Sequence, residues 1–474
     1  MSLRSLLSRV FKGRDEVDLT SGDIGGPLFY LALPIVITNL LQTAYNLADT
    51  FWVGQYSTNA LAAISFAFPL VFLLIALGMG VSVAGSVVVA QFVGAGEERE
   101  AEYAASQTVS YAFLLSLVLG AGGYLLVEDV IGLLGAEPDV LVLATDYMQV
   151  ISLGIVFMFG FFVFISLMRG YGDTITPMLV MLGSVVLNIV LDPFVIFGWW
   201  VFPEMGVEGA ALATVFSRAL AMAVGLGIML SGRRGVRIRP GEMLPDLAYG
   251  RKLARVGFPA SIEGTGRALS INLLMAIVGT FPTTVVAAFG IGTRVFSVVF
   301  LPAIGVARGV ETMAGQNIGA GEEDRAGATA TFAAKSTFVI LALVGVVVWV
   351  FAAPVVGVFT DDPEVVAVGA DFLRYVAPTF GFIGVMRSYS GAFRGAGKTL
   401  TAAAISILML GVVRLPFAWF AATPLGTSGV WLSFTVSNLV GAAVAYLWFQ
   451  RGTWRSADLT GTKHGDLVDG VVDD

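Results

Sequence analysis

Polar and acidic side chains recur at helical spacing within three long apolar stretches of the chain. The first stretch carries a row of polar residues three to four positions apart: Thr38, Gln42, Tyr45, Asn46 and Asp49. The second carries Asn188 and Asp192 one turn apart, followed directly by Pro193, and the third carries Thr214. Because residues three or four apart share one face of a helix, each set predicts a polar stripe. We expect the stripes to enclose a small oxygen-lined pocket with two carboxylates and no basic partner nearby in the sequence.

Two carboxylates in an apolar interior predict a site that couples to an ion. Both cannot stay ionised at low cost, so one takes up a proton or both share a cation. Moving one charge down a potential of ~100 mV is worth about 2.3 kcal/mol, enough for a roughly fifty-fold uphill concentration ratio. The alternative interpretation is structural: Asp49 would lie at the extracellular interface, and Asp192 would cap a broken helix.

The second half of the chain has a different set of ionisable residues in its apolar stretches. Glu263 and Arg267 are four residues apart, so we expect a structural ion pair on one helix rather than a second coupling site. Arg387 and Arg414 pair with acids or contact substrate, and the sequence leaves both interpretations open.

The elements that position these residues are predicted to be membrane-spanning helices. The 474 residues are 57% hydrophobic and 13% charged, with a mean hydropathy of +0.85. Apolar runs of about 20 residues, the length that crosses the hydrocarbon layer, recur along the chain. At bilayer depth each span must satisfy its own backbone, so the fold class is all-α. We place twelve spans, at 28–53, 60–83, 104–127, 139–167, 174–197, 207–230, 252–279, 283–305, 328–352, 364–393, 399–420 and 427–449.

The distribution of basic residues predicts the orientation of these spans. Eighteen Lys and Arg residues fall in the two terminal segments and alternate loops, and two more, Lys252 and Arg255, lie at the start of the span that follows the linker; none falls in the loops of the other side. By the positive-inside rule, both termini are cytoplasmic. The predicted organisation is a cytoplasmic segment 1–27, a six-helix lobe 28–230, a basic linker 231–251, a second lobe 252–450 and an acidic tail 451–474. We interpret the linker charge as a topology determinant that meets lipid, and expect no nucleic acid partner.

The two lobes repeat at an offset of 225 residues. The run from Gly94 to Glu98 recurs from Gly319 to Glu323, and Pro34 corresponds to Pro259. Six spans in each half give both copies the same orientation, an architecture found in transporters that work by alternating access. The acids do not repeat, since Leu274 corresponds to Asp49.

The chain resembles the multidrug and toxic compound extrusion (MATE) transporters over about residues 25–450. The resemblance rests on the twelve spans in two lobes and on four motifs: Asn46-Leu-Ala-Asp49-Thr, Arg169-Gly-Tyr-Gly-Asp-Thr, Leu187-Asn188-Ile-Val-Leu-Asp192-Pro193 and Gly206-Val-Glu-Gly-Ala-Ala-Leu-Ala-Thr214. It is most similar to the DinF-like prokaryotic branch.

This resemblance implies antiport coupled to H⁺ or Na⁺, with the ion site in the first lobe and no cofactor. The matching site residues, which would also hold Na⁺, are Asp49, Asn188, Asp192 and Thr214. Gln42, Asn46 and Tyr147 would form a supporting polar network, and Pro34 would be the point at which the first span bends. The second-lobe acids of the NorM-type branch do not match, because Glu263 is out of register and residues 381–384 contain no acid.

The implied activity is export of lipophilic, often cationic, drug-like compounds from a monomer in the plasma membrane, surrounded by lipid. A flippase for lipid-linked oligosaccharide or polysaccharide, from the same superfamily, is the alternative, and cationic rings in a central cavity would favour it. A major facilitator transporter and a channel are weaker alternatives. An enzyme is not expected, because the chain has no Cys, no HExxH motif and a single histidine, His464, in the polar tail.

Overall fold

The structure, a computed structural model, describes residues 17–455 and 459–460. Within that part of the chain every regular element is a helix, which confirms the predicted all-α fold. The first half contains α1 (Gly25–Tyr56), α2 (Thr58–Gly94), α3 (Glu98–Leu133), α4 (Pro138–Tyr171), α5 (Ile175–Ile196) and α6 (Gly206–Ser231). The second half contains α7 (Leu247–Val278), α8 (Thr283–Gly319), α9 (Glu323–Val350), α10 (Ala352–Gly357), α11 (Pro363–Val376), α12 (Phe380–Gly395), α13 (Thr399–Ile407), α14 (Leu415–Leu425) and α15 (Thr427–Gln450).

Eleven helical segments of the described chain are long and apolar enough to cross a membrane. They include Pro363–Gly395 and Thr399–Leu425, each built from more than one element. The remaining predicted span corresponds to α7, which is 32 residues long. Its charged residues, Glu263 and Arg267 among them, lower its hydropathy. The helices therefore account for the twelve predicted spans.

The chain forms two compact units whose limits fall inside helices. Unit 1 comprises Ile37–Val93 and Glu97–Ser261, and unit 2 comprises Val17–Val36, Gly94–Gly96 and the described residues from Ile262 onward. The predicted lobes, 28–230 and 252–450, differ from these units in α1 and α7. Each of these helices has 32 residues, or about 48 Å of length. The first part of each helix belongs to one unit and the second part to the other.

Unit 1 is held together by close packing of helices α3 to α6 with α2 and the second part of α1. At Gly170, an added Cβ would lie only 2.3 Å from the Ser86 carbonyl oxygen. Glycine therefore lets α2 and α4 approach at backbone distance, as small residues do in membrane helix pairs. This packing fixes the position of the helices that carry the candidate site.

The predicted basic linker is anchored to α3 rather than free. Gln107 Nε2 donates to the carbonyl oxygens of Glu242 and Leu244 at 2.6 and 2.8 Å. Arg99 pairs with the Glu242 carboxylate, and this contact lowers the pKa of Glu242 below its ordinary value. Arg239 pairs with Glu102 at 2.6 Å. The linker is thus part of unit 1.

Unit 2 has an aromatic core and one irregular helix. Phe289 stacks on Trp431 with ring centroids 5.8 Å apart, and Phe372 meets the same indole edge-on at 4.9 Å. Between α13 and α14 the backbone forms a π-helix over Leu408–Arg414. π-helical turns are rare in proteins, and those that occur often lie at functional sites.

Candidate functional site

The two predicted acids of unit 1 are both buried. Asp49 on α1 is 1% exposed and Asp192 on α5 is 0% exposed. Asp192 Oδ1 accepts a hydrogen bond from Asn188 Nδ2 at 3.0 Å, and the charges of Asp49 and Asp192 interact. Helix α5 continues through Asp192 and Pro193 to Ile196. Asp192 therefore lies inside a helix and does not cap its end, and the Asp49 side chain is enclosed by protein.

Several oxygen atoms in this acidic pair lack a hydrogen-bond donor. Among the described residues, Asp49 Oδ1, Asp192 Oδ2 and Asn188 Oδ1 are buried and have no partner. A buried oxygen without a partner carries a desolvation penalty of about 1–3 kcal/mol, and a charged one carries more. The arrangement therefore provides acceptors for a proton or a small cation.

Thr214 and two tyrosines extend the polar site across four helices. The hydroxyl groups of Tyr45 on α1 and Thr214 on α6 are 2.7 Å apart. Tyr147 on α4 is 4% exposed and lies within electrostatic range of Asp49, Asp192 and Tyr45. Helices α1, α4, α5 and α6 thus converge on one polar region, which brings the predicted site residues together.

Gln42 and Asn46 belong to the same network, together with an arginine that the sequence analysis missed. Gln42 Nε2 donates to Asn46 Oδ1 at 3.1 Å, and Arg218 Nη2 donates to Gln42 Oε1 at 2.9 Å. The Arg218 guanidinium also lies over the Tyr45 ring, 5.0 Å from its centroid.

This arginine corrects the expectation that no basic residue lies nearby. Arg218 follows Thr214 by one helical turn in the middle of a predicted span. A charged residue at that depth is a functional signal in its own right. The same rule that selected Asp49 would have found it.

Pro34 lies inside α1, just before the chain passes from unit 2 to unit 1 between Val36 and Ile37. Pro259 in α7 has the equivalent position before the passage between Ser261 and Ile262. Proline removes one backbone hydrogen bond from a helix interior and weakens it there. Both helices therefore have a local weak point beside the limit of a unit.

In unit 2, Glu263 forms the predicted ion pair with Arg267, at 3.1 Å. The pair is only part of a larger network. Glu263 also accepts from Arg394 at 3.2 Å and from Ser406 Oγ at 2.9 Å. A second acid, Glu311, pairs with Arg394 at 3.1 Å and with Arg308 at 2.7 Å.

Arg387 and Arg414 have different kinds of partner in the structure. Arg387 approaches Glu263 at 4.0 Å and lies over the Phe300 ring at 4.5 Å. Arg414 donates to Ser437 Oγ and to Asn438 Oδ1, both at 2.9 Å. Both of these partners are neutral groups, whereas Arg387 lies near an acid.

Comparison with known proteins identifies a family. The family model described as MatE matches residues 34–194 and 259–420, one match in each half of the chain. The FAD transporter of Shewanella oneidensis is 28% identical over 438 residues, covering 92% of this chain and 97% of that protein. The multidrug export protein MepA of Staphylococcus saprophyticus is 26% identical over 440 residues, covering 91% and 96%.

A solved structure has the same fold. It is a MOP superfamily transporter from Pyrococcus furiosus, described as having a binding pocket of reverse polarity that suggests a different function. The two chains superpose with a TM-score of 0.82 at 27% identity, covering 93% of this chain and 98% of that one.

Proposed function

This chain belongs to the MatE family of multi-pass membrane transporters, and we propose that it is an antiporter that exports drug-like organic compounds in exchange for H⁺ or Na⁺. Members of this family are transporters and not enzymes. In our proposal the coupling ion binds in unit 1, both termini are cytoplasmic, and the protein works as a monomer in the plasma membrane.

The observation that carries the proposal is the buried acid pair of Asp49 and Asp192 with its unpartnered oxygen atoms. Ionised carboxylates inside a membrane protein are costly unless a cation or a proton neutralises them. Asn188 and Thr214 add neutral oxygen atoms, which together with carboxylates form the kind of ligand set that hard cations prefer. The pair therefore favours a site whose occupancy changes as access alternates between the two sides of the membrane.

The rest of the unit 1 network supports a role in coupling. Tyr45 connects α1 to α6 through Thr214, and Gln42 connects α1 to Arg218. A change in the charge of Asp49 would act on a helix held by both contacts. For coupling, the ion must bind the two transport states with different affinity, and contacts that hold α1 in one arrangement are a physical means to that difference.

Ethidium efflux from proteoliposomes tests this proposal, with a pH gradient and a Na⁺ gradient imposed separately. We expect at least one gradient to drive efflux by the natural protein and neither to drive efflux by Asp49→Asn or Asp192→Asn. Asp139→Asn, at an exposed carboxylate on α4, is the matched control and should transport normally. Full gradient-driven efflux by both buried-site variants would refute the coupling role.

A second candidate function is export or flipping of an organic phosphate or a lipid-linked saccharide. The arginine-rich interior of unit 2 favours it, and a relative carries the name FAD transporter. The candidate predicts that a deletion strain accumulates lipid-linked saccharide or retains an organic phosphate inside the cell. An unchanged lipid and nucleotide profile, with lost ethidium efflux, supports the drug exporter instead.

A further inference from the structure

Unit 2 contains a buried excess of positive charge that the proposed ion coupling does not use. We name as the arginine cluster the side chains of Arg267, Arg308, Arg387 and Arg394 with Glu263 and Glu311. Arg394, Arg387 and both glutamates are at most 5% exposed, and the four arginines against two acids leave a formal charge of +2. Arg267 and Arg308 are the partly accessible members, with side chains 31% and 19% exposed.

The two acids are already fully engaged by three of the arginines. Glu263 is bound by Arg267 and Arg394, and Glu311 by Arg308 and Arg394. Arg387 is the arginine left over. Its nearest contact with an acid is 4.0 Å long, and its buried Nε has no hydrogen-bond partner among the described residues.

An aromatic wall connects Arg387 to a second buried cation. Arg387 lies over Phe300, and Arg414 lies 4.2 Å over the ring of Phe434. Phe296 stands between these rings, with centroids 5.6 Å from Phe300 and 6.1 Å from Phe434. Phe296 and Phe300 are only partly buried, so this wall has accessible ring surface between two guanidinium groups.

Unit 2 has no acid at the place that corresponds to Asp192 in the repeat. When Pro193 and Pro416 are aligned, Leu415 corresponds to Asp192, and its direct neighbour Arg414 ends a π-helical turn. Arg414 is compensated by the neutral groups of Ser437 and Asn438 and by the Phe434 ring. It differs in this from Arg387, whose Nε has no partner among the described residues.

We propose that Arg387 binds the anionic group of the transported compound, a phosphate or carboxylate attached to an aromatic or apolar body that packs on Phe296 and Phe300. This inference rests on the proposed transport function and names its substrate class. Guanidinium groups bind phosphate and carboxylate in bidentate geometry. Of the other five members of the arginine cluster, Glu263 lies nearest to Arg387 among the described ion pairs, at 4.0 Å.

Equilibrium dialysis of the detergent-purified full-length protein against 1-naphthyl phosphate tests the site without any gradient. We expect saturable binding, with the uncharged analogue 1-naphthol at least about tenfold weaker, because a charge-assisted hydrogen bond is worth about that factor or more. Arg387→Gln should weaken phosphate binding by about tenfold. Arg374→Gln, at an exposed arginine of α11, should bind as the natural protein does.

A further variant keeps the test decisive if the glutamine substitution disturbs folding. Arg387→Lys retains the charge but loses the bidentate fork, so we expect intermediate affinity. The selectivity of the natural protein for phosphate over 1-naphthol needs no variant at all. Equal binding of both compounds, or unchanged phosphate binding in a well-folded Arg387→Gln variant, would overturn the proposal.

The source of the anion and the coupling mechanism are distinguished in the same assay. Dioctanoyl phosphatidic acid that displaces 1-naphthyl phosphate at lower concentration assigns the site to a lipid headgroup, and weak displacement assigns it to a soluble organic phosphate. Asp139→Asn, at an exposed carboxylate of unit 1, should bind 1-naphthyl phosphate normally. Anion binding without gradient-driven transport would reject the coupling proposal alone, and ethidium efflux without anion binding would reject only the anion site.

Discussion

The hydroxyl oxygen atoms of Tyr45 and Thr214 lie 2.7 Å apart and join α1 to α6 within the buried polar region of unit 1. Both side chains are nearly inaccessible, at 8% and 2% exposure, so neither can exchange this partner for water. The contact lies one turn before Asp49 on α1. It therefore sets the position of the helix that presents the carboxylate.

Tyr45→Phe removes this hydrogen bond while keeping the aromatic ring under Arg218. We expect a loss of about 1–3 kcal/mol in the free energy of unfolding, because the Thr214 hydroxyl loses its partner. Efflux should fall but remain gradient-dependent, since Asp49 and Asp192 are intact. Thermal unfolding in detergent measures the first effect and proteoliposome efflux the second. Tyr124→Phe, at an exposed tyrosine of α3, is the control, and equal behaviour of the two variants would contradict the prediction.

Asp49→Asn and Asp192→Asn should separate transport from stability. Each removes a buried negative charge and keeps the size of the side chain, so the desolvation cost of the carboxylate disappears. We expect the thermal midpoint to stay the same or rise while gradient-driven efflux falls to the level of protein-free liposomes. A parallel loss of both properties in a thermal-shift assay would show that the acids serve folding instead.

The sequence alone could single out the polar residues of unit 1 because they stand within apolar stretches. Asp49, Asn188, Asp192 and Thr214 all lie inside predicted spans, where polar residues are rare. Their spacing along α1 and α5 was enough to place them on inward faces. The contact between Tyr45 and Thr214 joins residues 169 positions apart, and only tertiary packing could reveal it.

Three of the six members of the arginine cluster, Arg308, Glu311 and Arg394, escaped the sequence analysis because of where helices end. Arg308 and Arg394 fall just beyond the predicted spans 283–305 and 364–393 and were assigned to cytoplasmic loops. In the structure α8 continues to Gly319 and α12 to Gly395, so both arginines lie on helices beside Glu311. The positions at which α1 and α7 pass from one unit to the other depend on which helices pack together. Hydropathy carries no information about that packing.

Arg218→Gln tests the basic residue that the network of unit 1 contains. We expect efflux to fall by about tenfold, because Gln42 loses a charge-assisted hydrogen bond and Tyr45 loses the cation over its ring. Arg218→Lys should recover part of the activity, since lysine keeps the charge but not the planar fork. Arg234→Gln, at an exposed position of the linker, controls for the loss of one positive charge. An Arg218→Gln variant with normal efflux would remove this residue from the site.

Pro34→Ala should slow transport while stabilising the protein. Alanine restores the backbone donor that proline lacks, and proline in a helix interior costs about 3 kcal/mol. Pro34 lies just before the point at which α1 passes from unit 2 to unit 1. A stiffer helix there should resist the change of arrangement that alternating access needs. We expect a higher thermal midpoint and a lower efflux rate. Pro138→Ala is the control, because Pro138 begins α4, where proline costs little; a faster Pro34→Ala transporter would contradict the prediction.

Glu263→Gln should damage stability more than transport, the reverse of the Asp49 variant. Glu263 lies among Arg267, Arg387 and Arg394, so neutralising it leaves three buried or partly buried cations with less compensation. Breaking a buried ion pair from one side costs about 3–5 kcal/mol. We expect a clearly lower thermal midpoint, with the remaining folded protein showing a mild efflux defect.

Glu364→Gln is the matched control for this variant, because Glu364 is an exposed acid on α11 of the same unit. It should leave both the thermal midpoint and efflux unchanged. The comparison also separates the roles of the two units. If Glu263→Gln kept the natural thermal midpoint but lost all gradient-driven efflux, the coupling ion would bind in unit 2 rather than at Asp49 and Asp192, because a carboxylate that only stabilises the arginines would lower the midpoint when it is neutralised.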